Sequence, residues 1–486
     1  MQTVENIGMK SQNYEMKVGL FGIGLEAYWQ QFETLKPRLE GYLQTVHNRI
    51  AAVGTFVVNL GLIDNAEKAI YAAHKFREHD VDMLFLLAST YALSSTVLPI
   101  VQHVKVPVII LNISPEAAID YSAFNQMNDR TKMTGEWLRY CGSCPVPELA
   151  NVFQRARIQF YQVTGILDEQ DSCWKEVESW VQAAKVRHRM MHNRLGLMGH
   201  YYSGMLDIYT DKTRQLITFG GHMEILEVDE LSALRHQVTA AEIADRVALF
   251  YETFAVDPSC SLEELQRAAR TSIALDRLVA QYDLGSLAYY YKGTGNADNA
   301  DTMSSVILGN SLLTARHVPV AGEYEIKNVQ AMKILDSFGA GGSFTEYYAM
   351  DYNDDVVLMG HDGPGHIAIA EGKTKVKPLQ VYHGKVGQGL SVEMAVKHGS
   401  VTLLSVIEQQ DGSIALLVAE GASVEGPILE IGNTNSRYKF PIAARSFVND
   451  WNSHGPAHHC AIGVGHIADK IKKLGALLGI SVIQIC

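Results

Sequence analysis

Cysteine is scarce in this chain, with six in 486 residues. That is too few for a disulfide scaffold, and a reducing cytoplasm is the expected setting. Cys141 and Cys144 form one C-x-x-C beside Pro145, but no second pair completes a zinc site, so both are expected to be buried or loop thiols. Basic residues are outnumbered: Lys+Arg 41 against Asp+Glu 53 gives a net charge of -12. Such a surface argues against nucleic acid as a partner, because phosphate binding needs a basic face. No apolar run is long enough to span a bilayer, which excludes a helical membrane protein. The opening MQTVENIGMKSQNYEMK lacks the apolar block of a secretory signal. Internal repeats and low-complexity tracts are absent too. What is there is 47% hydrophobic and 19% charged, a globular balance that excludes disorder, collagen and coiled coil.

The order of elements follows from apolar periodicity. Lys17–Ile23, Thr55–Asn59, Asp82–Leu87 and Pro107–Asn112 read as strands, the last two continuous enough to be covered on both faces. Between them lie a helix through Tyr28, Phe32, Leu35, Leu39, Leu43, Val46 and Ile50, with Pro37 as a possible kink, and helices over Asn65–His79 and Leu93–His103. Residues 150–190 read as helix, ending in the basic run Lys185–Arg194. A second α/β stretch follows, with strands at Leu195–Met198 and Gln215–Phe219, helices at Ala240–Phe254 and Ser261–Tyr282, and a polar loop at Asn296–Asp301. Beyond Tyr348 the period becomes that of strands: Val356–Met359, Leu379–Tyr382, Leu390–Val396, Val401–Ile407 and Ile414–Ala419, with a hairpin signal at Asp411-Gly412. A helix through Ile467, Ile471, Leu474 and Leu478 then leads to a last strand, Ile480–Ile485. The expected fold is α/β: two successive doubly wound α/β domains (1-192 and 193-318), then a mostly antiparallel β domain (319-486).

Gly22-x-Gly24 with Ala27 invites a dinucleotide site. However, no strand-ending acid stands about twenty residues on to hold a ribose, and Asp64 comes too late. A tight strand-to-helix turn accounts for these glycines, and NAD is not expected.

The residues that carry chemistry thicken in the last third. Val320-Ala321-Gly322-Glu323, Gly342-Ser343-Phe344-Thr345-Glu346, Met359-Gly360-His361-Asp362-Gly363-Pro364-Gly365-His366 and His454-Gly455-Pro456-Ala457-His458-His459 each set a possible ligand beside glycine or proline. Such ligands lie at loops and element ends, where sites are usually built. Glu323 falls at the expected N-terminus of a helix running to Phe338, where the helix dipole favours a carboxylate, and Lys327 is placed as its i,i+4 partner. Two carboxylates and two imidazoles without a thiolate suit a hard or borderline divalent ion such as Mn²⁺.

Ala321-Gly322-Glu323 with Lys327, Phe344-Thr345-Glu346, Gly360-His361 and Ala457-His458-His459 resemble, in order and separation, the motifs of the L-arabinose isomerases. Val381-Tyr382-His383-Gly384 through Leu416-Leu417-Val418 has that family's look as well. The resemblance is strong from about Tyr290 onward and weak over the first 190 residues; the related L-fucose isomerases use a Glu, Asp and His set instead. It implies that Glu323, Glu346, His361 and His459 bind a divalent ion, usually Mn²⁺, and that Glu323 and Glu346 are the acid/base pair. It further implies a cytoplasmic homo-oligomer, a hexamer, whose neighbouring copy completes the sugar pocket. Two departures stand out. The family's sugar-contacting loop is not reproduced around Glu26–Trp29, and a first-domain histidine has no match near Met133–Gly135.

The expected reaction is aldose–ketose isomerisation of a pentose such as L-arabinose, to L-ribulose, by proton transfer between C2 and C1, with a hydride shift as the alternative route. Trp29, Met205 and Tyr290 are candidates to cover the sugar, although such residues more often belong to cores. His366, His454 and His458 are not expected to be ligands. In an extended segment His458 and His459 would point to opposite sides, leaving His458 to orient its neighbour or touch the sugar. Two other readings are an isomerase or epimerase of another sugar on the same scaffold, and a non-catalytic sugar-binding protein.

Overall fold

The computed structural model describes residues 15–486 except 294, 380, 383, 384 and 387. The opening segment read for a signal therefore lies outside the described residues, as do His383 and Gly384 of the hairpin motif. The chain divides into two compact units, one ending at His188 and the other beginning at Arg189. The expected domains 193-318 and 319-486 fall together in the second unit, distinguished there by their sheets.

In the first unit five strands, β1 (Lys17–Ile23), β2 (Phe56–Ile63), β3 (Met83–Leu87), β4 (Val108–Ser114) and β5 (Phe160–Ile166), form an all-parallel sheet in the order β2-β1-β3-β4-β5. Every residue of β3 is buried, as a central strand covered by helices requires. The helices are α1 (Leu35–Ala52), α2 (Ala66–Glu78), α3 (Ser94–Val104), α4 (Tyr121–Gln126), α5 (Arg130–Leu138), α6 (Val146–Ala156) and α7 (Cys173–Met191). Asn65 caps α2 by accepting from the Lys68 amide at 2.9 Å. Pro37 sits in the first turn of α1, where its missing N–H is harmless, so it starts the helix rather than kinking it. The stretch before it, expected as helix from Tyr28, is a short 3₁₀ turn at Glu26–Tyr28.

The second unit opens with four parallel strands, β6 (Arg194–Gly199), β7 (His222–Leu226), β9 (Ser286–Tyr290) and β10 (Val320–Ala321), in the order β10-β9-β6-β7. Around them run α8 (Lys212–Phe219), α9 (Val228–His236), α10 (Ala240–Thr253), α11 (Leu262–Tyr282), α12 (Ala297–Met303), α13 (Ile307–Ala315) and α14 (Ile326–Ser337). A small sheet joins β8 (Ala255–Val256), β13 (Lys375–Pro378) and β16 (Leu390–Glu393), and β14 (Val381–Tyr382) pairs with β15 (Lys385–Val386). The remaining strands are β11 (Ser343–Asp351), β12 (Val356–His361), β17 (Gly399–Glu408), β18 (Ile414–Val424), β19 (Thr434–Lys439), β20 (His459–Val464) and β21 (Ser481–Gln484), with α15 (Ala444–Ser453) and α16 (Ala468–Leu478). They run β17-β20-β11-β12-β19-β18-β21, and β17 also pairs with β18, so that six antiparallel strands close on themselves. β21 adds to β18 in parallel. The fold class is thus α/β with two parallel sheets, followed by an antiparallel-rich sheet. Among the described residues no helix is long and apolar enough to cross a membrane.

Several expectations give way. Residues 150–190 contain the strand β5, in which only Val163 is buried; an edge strand that buries so little of itself hides in a helical pattern. Gln215–Phe219 belongs to a helix, α8, because Asp211 caps it by accepting from the amides of Thr213 and Arg214. The polar loop Asn296–Asp301 is the start of α12, with Asn296 accepting from Asp298 and Asn299 at 3.0 and 3.2 Å. Cys141 and Cys144, expected as free thiols, are paired in a disulfide.

Candidate metal centre

Three neighbouring strands of the closed sheet supply most of the site. Glu346 on β11 stands opposite Gly360 of β12 on one side and His459 of β20 on the other. His361 is the last residue of β12 and His459 the first of β20, so both imidazoles project at strand ends next to the Glu346 carboxylate. Gly360 is required here: a Cβ on it would lie 1.9 Å from the Thr434 carbonyl oxygen of β19. The Phe344 ring packs against both imidazoles, with centroids 4.5 Å from His361 and 4.4 Å from His459.

The fourth residue comes from the turn between β10 and α14. Glu323 is not at a helix N-terminus, since α14 begins at Ile326. Instead Glu323 and Tyr324 both take left-handed backbone, with φ of 57° and 61°, a conformation that non-glycine residues adopt at a cost and that clusters at functional sites. Hydrogen bonds fix it: the Tyr324 amide donates to the Tyr289 carbonyl at 2.9 Å, the Glu325 amide to Gly322 at 3.0 Å and the Tyr202 amide to Glu323 at 3.3 Å. The Glu323 carboxylate then lies 3.5 Å from His459 Nε2 and 4.0 Å from His361 Nε2. Lys327, expected as its ion-pair partner, donates instead to the backbone carbonyl of Asp207.

Two overlapping groups result, Glu323/His458/His459 and Glu346/His361/His459, in each of which the ligand atoms lie within 4.8 Å of one another. Among the described residues these are the groups able to hold a metal ion, and His459 belongs to both. The ring nitrogens are oriented for the task. His361 Nδ1 is held by the Asp362 carbonyl and His459 Nδ1 by the Glu325 carboxylate, which leaves Nε2 of each facing the carboxylates. Glu323 Oε2 and His459 Nε2 are buried and have no hydrogen-bond partner. Buried polar atoms are normally paired, and a cation between them would satisfy both.

The electrostatics point the same way. Burial pushes His361 down to about 3 and His459 well below its ordinary value, so both imidazoles are neutral with lone pairs free for a metal. Burial pushes Glu323 up to about 7, with His458 opposing the shift and Glu346 adding to it. Fully buried Glu325 is pushed up to about 8, chiefly by desolvation and against the pull of Lys327.

His458 departs from its expected geometry. It precedes β20, so the alternation of a strand does not yet apply, and its ring lies 3.8 Å from that of His459 rather than on the opposite side. Asp207 Oδ2 accepts from both the His458 amide at 2.9 Å and Nδ1 at 2.6 Å. Burial alone would lower the His458 pKa, but Asp207 raises it above the ordinary value. Met205 stands just before the 3₁₀ turn Leu206–Ile208 that carries Asp207. Tyr290 ends β9, buried, with its ring 4.8 Å from Tyr202; burial, Tyr202 and the Glu323 charge push its hydroxyl up to about 12. Tyr290 also lines a cavity of about 160 Å³ with Tyr291, Lys292, Met303, Ile307 and Leu379. Trp29 belongs to the other compact unit, where its indole donates to Asp64 at 2.7 Å. His366 is buried, with its amide donating to Ser343 Oγ at 3.3 Å, and His454 ends α15; neither joins a ligand group.

Glu325 and Asp207 are the residues that sequence reasoning missed. An acid two places after Glu323 was a signal for the first; nothing local marks Asp207, which meets His458 only through the fold.

The chain matches no known family model and no curated protein.

Proposed function

We propose that this protein is a metal-dependent aldose–ketose isomerase acting on a pentose such as L-arabinose. The carrying observation is the pair of overlapping groups, Glu323/His458/His459 and Glu346/His361/His459, that share the buried His459. Glu323, Glu346, His361 and His459 would hold a divalent ion, and their mixed oxygen and nitrogen donors without thiolate suit Mn²⁺. When bound, such an ion polarises a carbonyl and acidifies the proton on the neighbouring carbon.

The chain's own residues do the rest. Glu323 takes the C2 proton of the aldose and returns it to C1 across a cis-enediol. Glu346, across the strand pair from His459, moves the hydroxyl proton between O1 and O2. Opposite protonation states of two neighbouring carboxyls are what an acid/base pair requires. Tyr290, whose hydroxyl stays protonated, donates to a sugar oxygen, as does His458 held by Asp207. Phe344 shields the histidines from water. The resemblance to the L-arabinose isomerases supports this reading.

The test is an assay of the Mn²⁺-loaded protein against a panel of aldopentoses and deoxyhexoses in ²H₂O. Ketose carrying solvent deuterium at C1 is expected. Ketose without any deuterium would indicate a hydride shift, and no ketose from any sugar would overturn the proposal.

A further inference from the structure

Cys141-Gly142-Ser143-Cys144-Pro145 links α5 to α6 in the first unit, remote in sequence from every residue of the metal centre. We propose that the Cys141–Cys144 pair is a reversible redox-modification site that exchanges with low-molecular-weight thiols through Cys144.

The two α carbons lie 5.4 Å apart, inside the range a disulfide accepts, so the bond opens and closes without moving the backbone. Only two residues separate the cysteines. A ring so small removes little freedom from the unfolded chain, so the bond is a weak staple compared with one closing a long loop. The pair is also asymmetric: Cys141 is 3% exposed, whereas Cys144 is exposed and stands before the first turn of α6. Attack by an outside thiol is thus confined to one sulfur, while the other waits within reach to reverse it.

The loop is held by contacts that do not need the bond. Gly142 lies so close to the segment just after β3 that a Cβ would come within 2.2 Å of the Ala88 carbonyl oxygen. Ser143 Oγ donates to Asn112 Oδ1 at 2.7 Å, and Thr90 Oγ1 donates to the Leu138 carbonyl at 2.7 Å. A reduced pair therefore stays in register for closure. The other four cysteines are poor competitors: Cys173, Cys260 and Cys460 are buried and Cys486 partly so, and burial pushes all four thiols up.

A thiolate attacks Cys144 Sγ, the Cys141–Cys144 bond breaks, and its electron pair leaves on Cys141, which takes a proton. A second thiolate attacks the outer sulfur of the mixed disulfide, releasing the small-molecule disulfide and the Cys144 thiolate. Two thiols are oxidised and one protein disulfide is reduced; the oxidised small-molecule disulfide drives the reverse.

The full chain should be equilibrated in buffers of varied reduced and oxidised glutathione, quenched with iodoacetamide and mapped by peptide mass. A single two-electron transition at Cys141 and Cys144 is expected, with the other four cysteines unchanged across it. Cys141→Ser should accumulate glutathione on Cys144, and Cys144→Ser should accumulate at least tenfold less on Cys141. Two free thiols at every ratio, or a bond that survives full reduction, would overturn the proposal in the wild-type chain alone. Equal adducts in the two variants would overturn the assignment of Cys144 as the point of entry.

Discussion

His459 is the one residue common to both candidate ligand groups, and its far nitrogen rests on a buried glutamate. His459→Ala should therefore strip the ion more completely than His361→Ala or His458→Ala, as metal content after dialysis would show; a His458→Ala protein emptied of metal beside a His459→Ala protein that keeps it would reverse the assignment. Glu325→Gln should weaken metal binding by roughly 10–100-fold, because it disturbs the partner that fixes the ring and its tautomer; unchanged affinity by isothermal titration would make Glu325 a bystander. The buried acids also set a pH signature for the metal-free protein. Glu323 and Glu325 are raised from an ordinary 4.5 to about 7 and about 8. Between those limits the folded state holds protons that the unfolded state has released, so their stabilisation is lost as pH rises. His361 and His459, lowered from 6.5, lose theirs as pH falls below 6.5. The two trends oppose below 6.5, whereas above it only the falling one remains, and raised His458 adds to it. The Tm of the stripped protein should thus fall from pH 6.5 to 8, with Mn²⁺ restoring most at the upper end. A Tm that rises across that window would contradict the protonation states assigned to the two glutamates.

At the level of elements, β12 is the most exposed to a single change. Gly360→Ala would drive a methyl into the backbone of β19, at a cost of the order of 3 kcal/mol, and would move His361 at the strand end. A lower Tm together with weaker metal binding is expected; a variant with normal values for both would show that β19 gives way freely. Legibility in the sequence varies by element. Lys17–Ile23 and the strands around Asp411-Gly412 were readable because continuous burial or a turn signal marks them. β5 and α8 were not, because an edge strand and a two-turn helix bury too few residues to impose a period. Glu323, Glu346, His361 and His459 were legible as candidate ligands only as a set beside glycines. The left-handed turn that aims Glu323 leaves no trace in composition, nor does the Asp207–His458 pair, which spans the fold.

For the whole molecule, the expectation that a neighbouring copy closes the sugar pocket stands as a proposal, motivated by a ligand set drawn wholly from beyond residue 318. A hexamer that loses turnover on dilution to monomers is the expected outcome, read by sedimentation alongside the isomerase assay; a fully active monomer would dispose of it. The closed sheet has a consequence for how the protein is made. β20 lies between β17 and β11, strands translated well before it, and it brings the shared histidine with it. Until that late segment leaves the ribosome the ring stays open, with two unpaired edges and only part of its donor set in place. Any ion held by the two groups that share His459 would consequently be captured only after β20 has been made, and chains made without it would be finished but empty rather than arrested.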